Sequence, residues 1–251
     1  MSHITSPHNP QLKALRRLRT RRERARSGAF VAEGEDLVAA AALAGRPALE
    51  GYRLAGSDLG ERGFHDVERS ALAGVSALGS GTRVLAVYAQ SWGPALGPLC
   101  VYLHGVSDPG NVGAVVRSAH AFGASCVALG PRCADPHSPK AVRASMGAIF
   151  NVALARVSDV RELPGRRIAL VADAADTLQD ARAGDGPLTL LVGAERHGLP
   201  ADVLAACERR ARIPIASDSL NAAMAATVAL YEVTRRPCGS PARANDTVPA
   251  T

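Results

Sequence analysis

Asn111, Arg117, Glu195 and Asn221 are the polar side chains whose types and settings could do chemistry in this chain. Asn111 lies in Ser107-Asp108-Pro109-Gly110-Asn111-Val112-Gly113, a turn between a strand-like run (Leu99–Val106) and a helix-like run that stops at Gly123. A second strand candidate, Cys126–Gly130, follows. In such a strand–turn–helix–strand unit, Asn and Gly suit a turn whose backbone comes close to a ligand. Arg117 sits about two turns into an otherwise small and apolar helix, where a cation has either a task or a buried partner. A dinucleotide-binding loop would need G-x-G-x-x-G and an acid further on. The spacing here is Gly110-x-x-Gly113 with no glycine at 115 or 116, which disfavours it.

Two later segments narrow the reading. Leu190-Leu191-Val192-Gly193-Ala194-Glu195-Arg196-His197-Gly198-Leu199-Pro200 is an apolar strand running into a glycine-bracketed loop. Arg212-Ile213-Pro214-Ile215 and Ser219-Leu220-Asn221 then lead into an Ala-rich helix ending near Tyr231-Glu232. With the Asn111–Arg117 block and the Lys140–Gly147 segment, these resemble, in order, the signature motifs of the SpoU branch of the SPOUT RNA methyltransferases. The resemblance covers roughly residues 99–236. The link Ala216-Ser217-Asp218 is shorter than in most members of that family, so a reshaped cofactor loop is expected there.

The resemblance implies an α/β fold with a SPOUT-type parallel sheet and a C-terminal trefoil knot. It also implies transfer of a methyl group from S-adenosylmethionine, usually to a ribose 2′-hydroxyl of tRNA or rRNA. A sulfonium is its own electrophile, so no metal is called for. Gly193, Gly198, Ile213, Ile215, Ser219 and Leu220 would hold the cofactor, with Ala172 at the strand end Leu170–Asp173 as a further wall. Arg117, Asn111, Glu195 and Asn221 are the catalytic candidates. A guanidinium with a pKa above about 12 is a poor proton acceptor, so Arg117 is read as a phosphate anchor and a stabiliser of developing alkoxide. Its alternative is a structural ion pair with Glu195. Asn111 would fix the turn, and Glu195 would orient Arg117 or the cofactor. His120 and His197 fall outside the motif cores.

The elements that must position these groups follow from pattern and charge. The chain has 251 residues and a net charge of +6. Residues 1–30 hold eight bases (Lys13, Arg16, Arg17, Arg19, Arg21, Arg22, Arg24, Arg26) against Glu23, so the basicity is local. Arginine forks fit phosphate oxygens, which marks Arg16, Arg17, Arg19, Arg21 and Arg22, with Arg143 further on, as RNA contacts. The alternative is a solvated helix face. A basic helix is expected from about Gln11 to Arg26, docked by Leu12, Leu15 and Leu18, followed by a small α/β unit with strands near 30–34, 51–55 and 82–88. This part resembles the RNA-binding domain that often precedes a SpoU catalytic domain.

The expected organisation is an RNA-binding unit at 1–90, a Pro/Gly-rich linker at 91–98, a methyltransferase domain at 99–236 and a disordered tail at 237–251. Alternating strands and helices in the second unit argue for a parallel sheet covered on both faces. No run of 18 apolar residues and no apolar leader is visible, so no membrane segment or secretion signal is expected. Five scattered cysteines without a C-x-x-C pair read as free thiols of a cytoplasmic protein. The Ala-rich helix Leu220–Glu232 offers a close-packing face for a homodimer. The competing class is an RNA-binding, ribosome-associated protein of the same fold without catalysis.

Overall fold

The computed structural model describes residues 2–77, 81–181, 185–217 and 219–235. The expected tail from 237, with Cys238, lies outside them, as do Arg236 and Asp218.

The N-terminal part runs β1 (His3–Ile4), α1 (Pro10–Arg17), α2 (Arg21–Ser27), β2 (Ala29–Glu33), α3 (Glu35–Leu43), β3 (Glu50–Leu54), β4 (His65–Val67), α4 (Arg69–Ala73) and β5 (Val84–Ala89). Its sheet has the order β1-β4-β3-β5-β2, parallel at β1/β4/β3 and antiparallel at β3/β5/β2. Leu12, Leu15 and Leu18 are buried with Tyr52, Leu72 and Leu85 beneath it.

The basic segment is two helices, not one. Asn9 caps α1 by accepting from the Gln11 amide at 2.8 Å, and Pro10 opens the first turn. The chain breaks at Leu18–Thr20, and the Thr20 hydroxyl caps α2. Arg24 explains why the break is stable. Its guanidinium donates to the Leu18 and Arg19 carbonyls at 2.7 and 2.8 Å, filling acceptors that the end of α1 leaves open. It is itself buried and paired with Asp135 at 2.7 Å. One of the eight N-terminal bases is therefore a structural strut.

The C-terminal part runs β6 (Leu99–Leu103), α5 (Pro109–Ala121), β7 (Cys126–Leu129), α6 (Pro139–Ser145), β8 (Ala153–Arg156), β9 (Arg166–Leu170), α7 (Leu178–Ala181), β10 (Leu188–Val192), α8 (Ala201–Ala205), β11 (Arg209–Ala211) and α9 (Ala222–Thr234). The sheet is parallel throughout, in the order β11-β9-β10-β6-β7-β8. Alternate residues serve its two faces. Val101, Leu103, Val127, Ile168 and Leu190 pack with residues of α5 and α9. Cys100, Tyr102, Ala128 and Leu191 pack with Leu199 and Val203 on the other face. That is how a strand buried on both sides reads as a continuous apolar run.

The two parts share a core: the Phe30 and Tyr88 rings lie 5.9 and 4.9 Å from that of Phe150. Residues 91–98 are pinned to the parallel sheet, where the Gly93 amide donates to the Leu154 carbonyl at 2.9 Å and Pro98 accepts from Leu188 at 2.8 Å. Gly113 has a reason other than ligand approach. A Cβ there would collide with the Ala141 carbonyl and come within 2.8 Å of the Ala144 Cβ, so this glycine lets α5 lie against α6. Among the described residues, no helix is long and apolar enough to cross a membrane.

Candidate functional site

Every strand of the parallel sheet points its C-terminal end to the same edge, and there the loops after β9, β10 and β11 converge with the N-termini of α5 and α9. They enclose a cleft of about 660 Å³. All seven residues expected to hold a cofactor line it: Ala172, Gly193, Gly198, Ile213, Ile215, Ser219 and Leu220. Glu195 lines it too, as do Leu170, Val192 and Ala194. The glycines are required by the turn. A Cβ on Gly193 would run into the Gly198 carbonyl and stand 2.6 Å from the Leu199 nitrogen, while Gly198 itself has φ +59. The Gly198 amide closes the loop onto the Ala194 carbonyl at 2.8 Å.

Three of the four catalytic candidates form one hydrogen-bonded chain, whose polarity is set by helix capping. Asn221 is the N-cap of α9, and its Oδ1 accepts from the Ala223 and Met224 amides at 2.9 and 3.3 Å. Its amide NH2 must then point the other way, and donates to Asn111 Oδ1 at 3.1 Å. Asn111 consequently turns its own NH2 to Glu195 Oε1, 2.5 Å away. Segments separated by about a hundred residues are thus joined at one point, and one Glu195 carboxylate oxygen is held against a fixed donor.

Asp108 completes the support, a role the motif reading did not assign. Its Oδ1 accepts from the Asn111 amide at 3.1 Å and its Oδ2 from Lys140 Nζ at 2.7 Å. The Lys140 ammonium, with the helix amides, holds the Asp108 carboxyl below the usual carboxylate range. An Asp-Pro pair at a helix start is the signal that could have found it.

Arg117 stands apart. It lies six residues beyond Asn111 on α5, about 9 Å along the axis, and it does not line the cleft. Its side chain is exposed and, among the described residues, makes neither a hydrogen bond nor an ion pair; Glu195 is engaged by Asn111 instead. The next residue, Ser118, bonds Thr227 of α9 at 2.6 Å. The basic candidates divide as well. Arg16 donates to the Pro7 and Gly74 carbonyls and Arg19 to that of Ser76, whereas Arg17, Arg21, Arg22 and Arg143 are exposed without such partners among the described residues.

Residues 98–231, more than half of the chain, match the model of the SpoU rRNA methylase family. The chain belongs to that family. Residues 9–57 match an MRM3-like substrate binding domain. Among solved structures, an AdoMet-bound rRNA methyltransferase from Sinorhizobium meliloti superposes with a TM-score of 0.81 at 29% identity, over 92% of this chain and 96% of that one. A tRNA/rRNA methyltransferase of Mycolicibacterium paratuberculosis is 37% identical over 150 residues, 57% of this chain and 48% of its own length. The 23S rRNA (uridine(2479)-2'-O)-methyltransferase of Streptomyces viridochromogenes is 36% identical over 145 residues, 52% of this chain and 50% of its own. The chain spans about half the length of the curated relatives it matches.

The SpoU cleft has a composition that discriminates between ligands. No lysine or arginine lines it, and its one ionisable lining group is the carboxylate of Glu195. A pyrophosphate would find no cation there. An adenosyl group bearing a sulfonium would find apolar walls in Ile213 and Leu220, backbone amides and carbonyls at its edge, and a negative side chain for its charge. These residues fit S-adenosylmethionine.

Proposed function

We propose that this protein is an S-adenosylmethionine-dependent RNA methyltransferase acting on a ribose 2′-hydroxyl of rRNA or tRNA. The observation that carries this reading is the cation-free cleft closed by the Glu195–Asn111–Asn221 chain. The AdoMet bound to the Sinorhizobium meliloti relative and the 2'-O activity in the name of the Streptomyces viridochromogenes relative support it.

The chain's own residues have separable tasks. Gly193, Gly198, Ile213, Ile215, Ser219 and Leu220 bind the cofactor, with Ala172 beside them. The cofactor supplies a methyl group on a sulfonium, already electrophilic. Asn111 and Asn221 hold Glu195 so that its carboxylate is presented in one orientation. Arg117 meets the RNA from outside the cleft: its fork binds a phosphate oxygen and stabilises the 2′-oxygen as its proton leaves to water or phosphate. The N-terminal unit, residues 1–90, holds the RNA, and residues 99–236 perform the transfer.

Two further features belong to this reading. A C-terminal trefoil knot is assigned to the chain; β11 joins the sheet beside β9 while α9 returns to pack on α5 and β10, as a threaded segment would. A homodimer forms through α9, where Met224 (61% exposed), Val228 (41%) and Tyr231 (56%) make an outward apolar stripe at helical spacing. The protein works in the cytoplasm.

Transfer of tritium from labelled S-adenosylmethionine to RNA tests the activity, and calorimetry with and without a chelator tests the cofactor. Stoichiometric, chelator-insensitive cofactor binding with RNA labelling is the expected result. Cofactor binding without transfer to any RNA would replace the enzyme by a silent RNA-binding relative.

A further inference from the structure

A second cleft opens on the same edge of the parallel sheet, at its other flank. It has a volume of about 910 Å³ and lies between α2 and the C-terminal ends of β7 and β8. Three arginines from three separate elements line it: Arg21 from α2, Arg132 from the loop after β7, and Arg156 at the end of β8. All three are exposed, and none makes an ion pair among the described residues. The acid lining the cleft is Asp135, and Arg24 occupies it through two contacts of 2.7 and 2.8 Å. The surplus positive charge is therefore uncompensated by the protein.

The arginines are also held in place. Arg156 lies with its guanidinium carbon 4.0 Å from the centre of the Trp92 ring. Trp92 is fixed in turn, with Nε1 donating to Gln90 Oε1 at 3.0 Å and its ring edge-on to His137 at 5.1 Å. Arg132 has φ +60, a left-handed conformation that a side-chain-bearing residue adopts at a cost. Glycine would be the unstrained choice there; arginine puts a cation at the cleft mouth instead.

We infer that this cleft is a second RNA-binding site, in which Arg21, Arg132 and Arg156 together seat a phosphodiester of the single-stranded RNA flanking the target ribose. This rests on the RNA-methyltransferase reading above. The two clefts share one sheet edge, and β8 stands three strands from β10, about 14 Å away. An RNA strand laid along the edge reaches both within a few nucleotides. The site joins the N-terminal unit to the catalytic sheet, so bound RNA would bridge them.

Fluorescence anisotropy with a labelled 20-nucleotide oligouridylate on the full chain tests this. Arg132→Ala combined with Arg156→Ala should weaken binding about tenfold at low salt and lower the log–log salt slope by about 1.4, at roughly 0.7 per lost phosphate contact. Arg62→Ala with Arg69→Ala, an equal change of charge outside the cleft, should leave the slope as it is. Arg132→Gly separates the role from a merely structural one: it should raise the melting temperature by relieving the backbone while still weakening RNA binding. Unchanged affinity and slope in the cleft variants, or an equal fall in the charge-matched control, would overturn the site. Tritium transfer by the wild type keeps the two readings apart. Transfer with unaffected cleft variants ends this inference alone, whereas no RNA binding and no transfer by the wild type ends the methyltransferase reading and this one with it.

Discussion

The two clefts on the C-terminal edge of the parallel sheet are built by opposite means. The one between β9, β10 and β11 is shaped by backbone: glycine turns, apolar walls, and a carboxylate fixed by two asparagines. The one beside β7 and β8 is shaped by charge, with three arginines facing solvent and its acid already engaged. The first recognises by fit and is insensitive to salt; the second attracts any polyanion and loses it as salt rises. A methyl donor and an RNA make these two demands, and the fold meets them several strands apart.

The largest expected effect would sharpen that division. Arg117→Ala should lower methyl transfer by about 10²–10³-fold, the usual cost of losing a charge-stabilising group, while cofactor affinity measured by calorimetry stays the same. Arg117 lies outside the cofactor cleft, so a parallel loss of affinity and rate would break the separation. Arg117→Lys should be nearly as poor, because a point charge does not replace a fork.

Protonation probes the floor of the basic cleft. His137 is 2% exposed, stacked against Phe30 and Trp92, and burial pushes its imidazole down to about 4. Between about pH 6.5 and 4 the unfolded chain therefore binds the extra proton, and stability falls as pH falls through that window. The loss from this one group is roughly 3 kcal/mol. His137→Phe should flatten the acid limb of denaturant-derived stability against pH; an unaltered limb would show that other groups govern it.

On the cofactor side, Gly193→Ala puts a methyl group into the Gly198–Leu199 backbone. Forcing that turn open should cost about 1–3 kcal/mol of stability and at least as much in cofactor binding, read by thermal denaturation and calorimetry. Normal binding in the alanine variant would mean the loop is looser than its packing indicates. Asn221 gives a finer test. Asn221→Ala removes the cap of α9 and should cost about 1 kcal/mol. Asn221→Asp keeps the cap but has no NH2 to give Asn111, so stability should persist while transfer drops roughly fivefold to tenfold. Equal stability losses in both variants would reduce Asn221 to a cap alone.

How much of this was legible in the sequence differs between the two regions for a physical reason. The cofactor cleft is made of contiguous loop segments whose glycines, Pro214 and Asn221 have local turn and cap requirements, so its seven lining residues could be picked out in the chain. The parallel sheet was legible for the same reason: each strand is a short apolar run bounded by turns. The break at Leu18–Thr20 was not, because it depends on Arg24 reaching Asp135, 111 residues away. The place of Arg117 was not either. Residue type marked it as charged in an apolar helix, but which way α5 turns it is decided by the packing of α5 on α6 and α9. The basic cleft, assembled from residues 21, 132 and 156, had no contiguous signal at all.

The smallest expected effect separates charge from architecture within the basic N-terminal segment. Deleting residues 1–26 would be a poor experiment, because Leu12, Leu15 and Leu18 are core residues and Arg24 ties α2 to the catalytic part. Arg17 and Arg22 are the better targets: both are exposed and neither has a hydrogen-bond or ion-pair partner among the described residues. Arg17→Ala with Arg22→Ala should leave the melting temperature and the circular dichroism unaltered, since surface changes away from packed features are nearly neutral. Cofactor affinity should also hold, because no residue of α1 or α2 lines that cleft. RNA affinity should fall modestly, with a salt slope reduced by about 1.4 if both contact phosphate. A slope that does not move would return these two arginines to a solvated helix face and leave RNA recognition to the cleft beside β8.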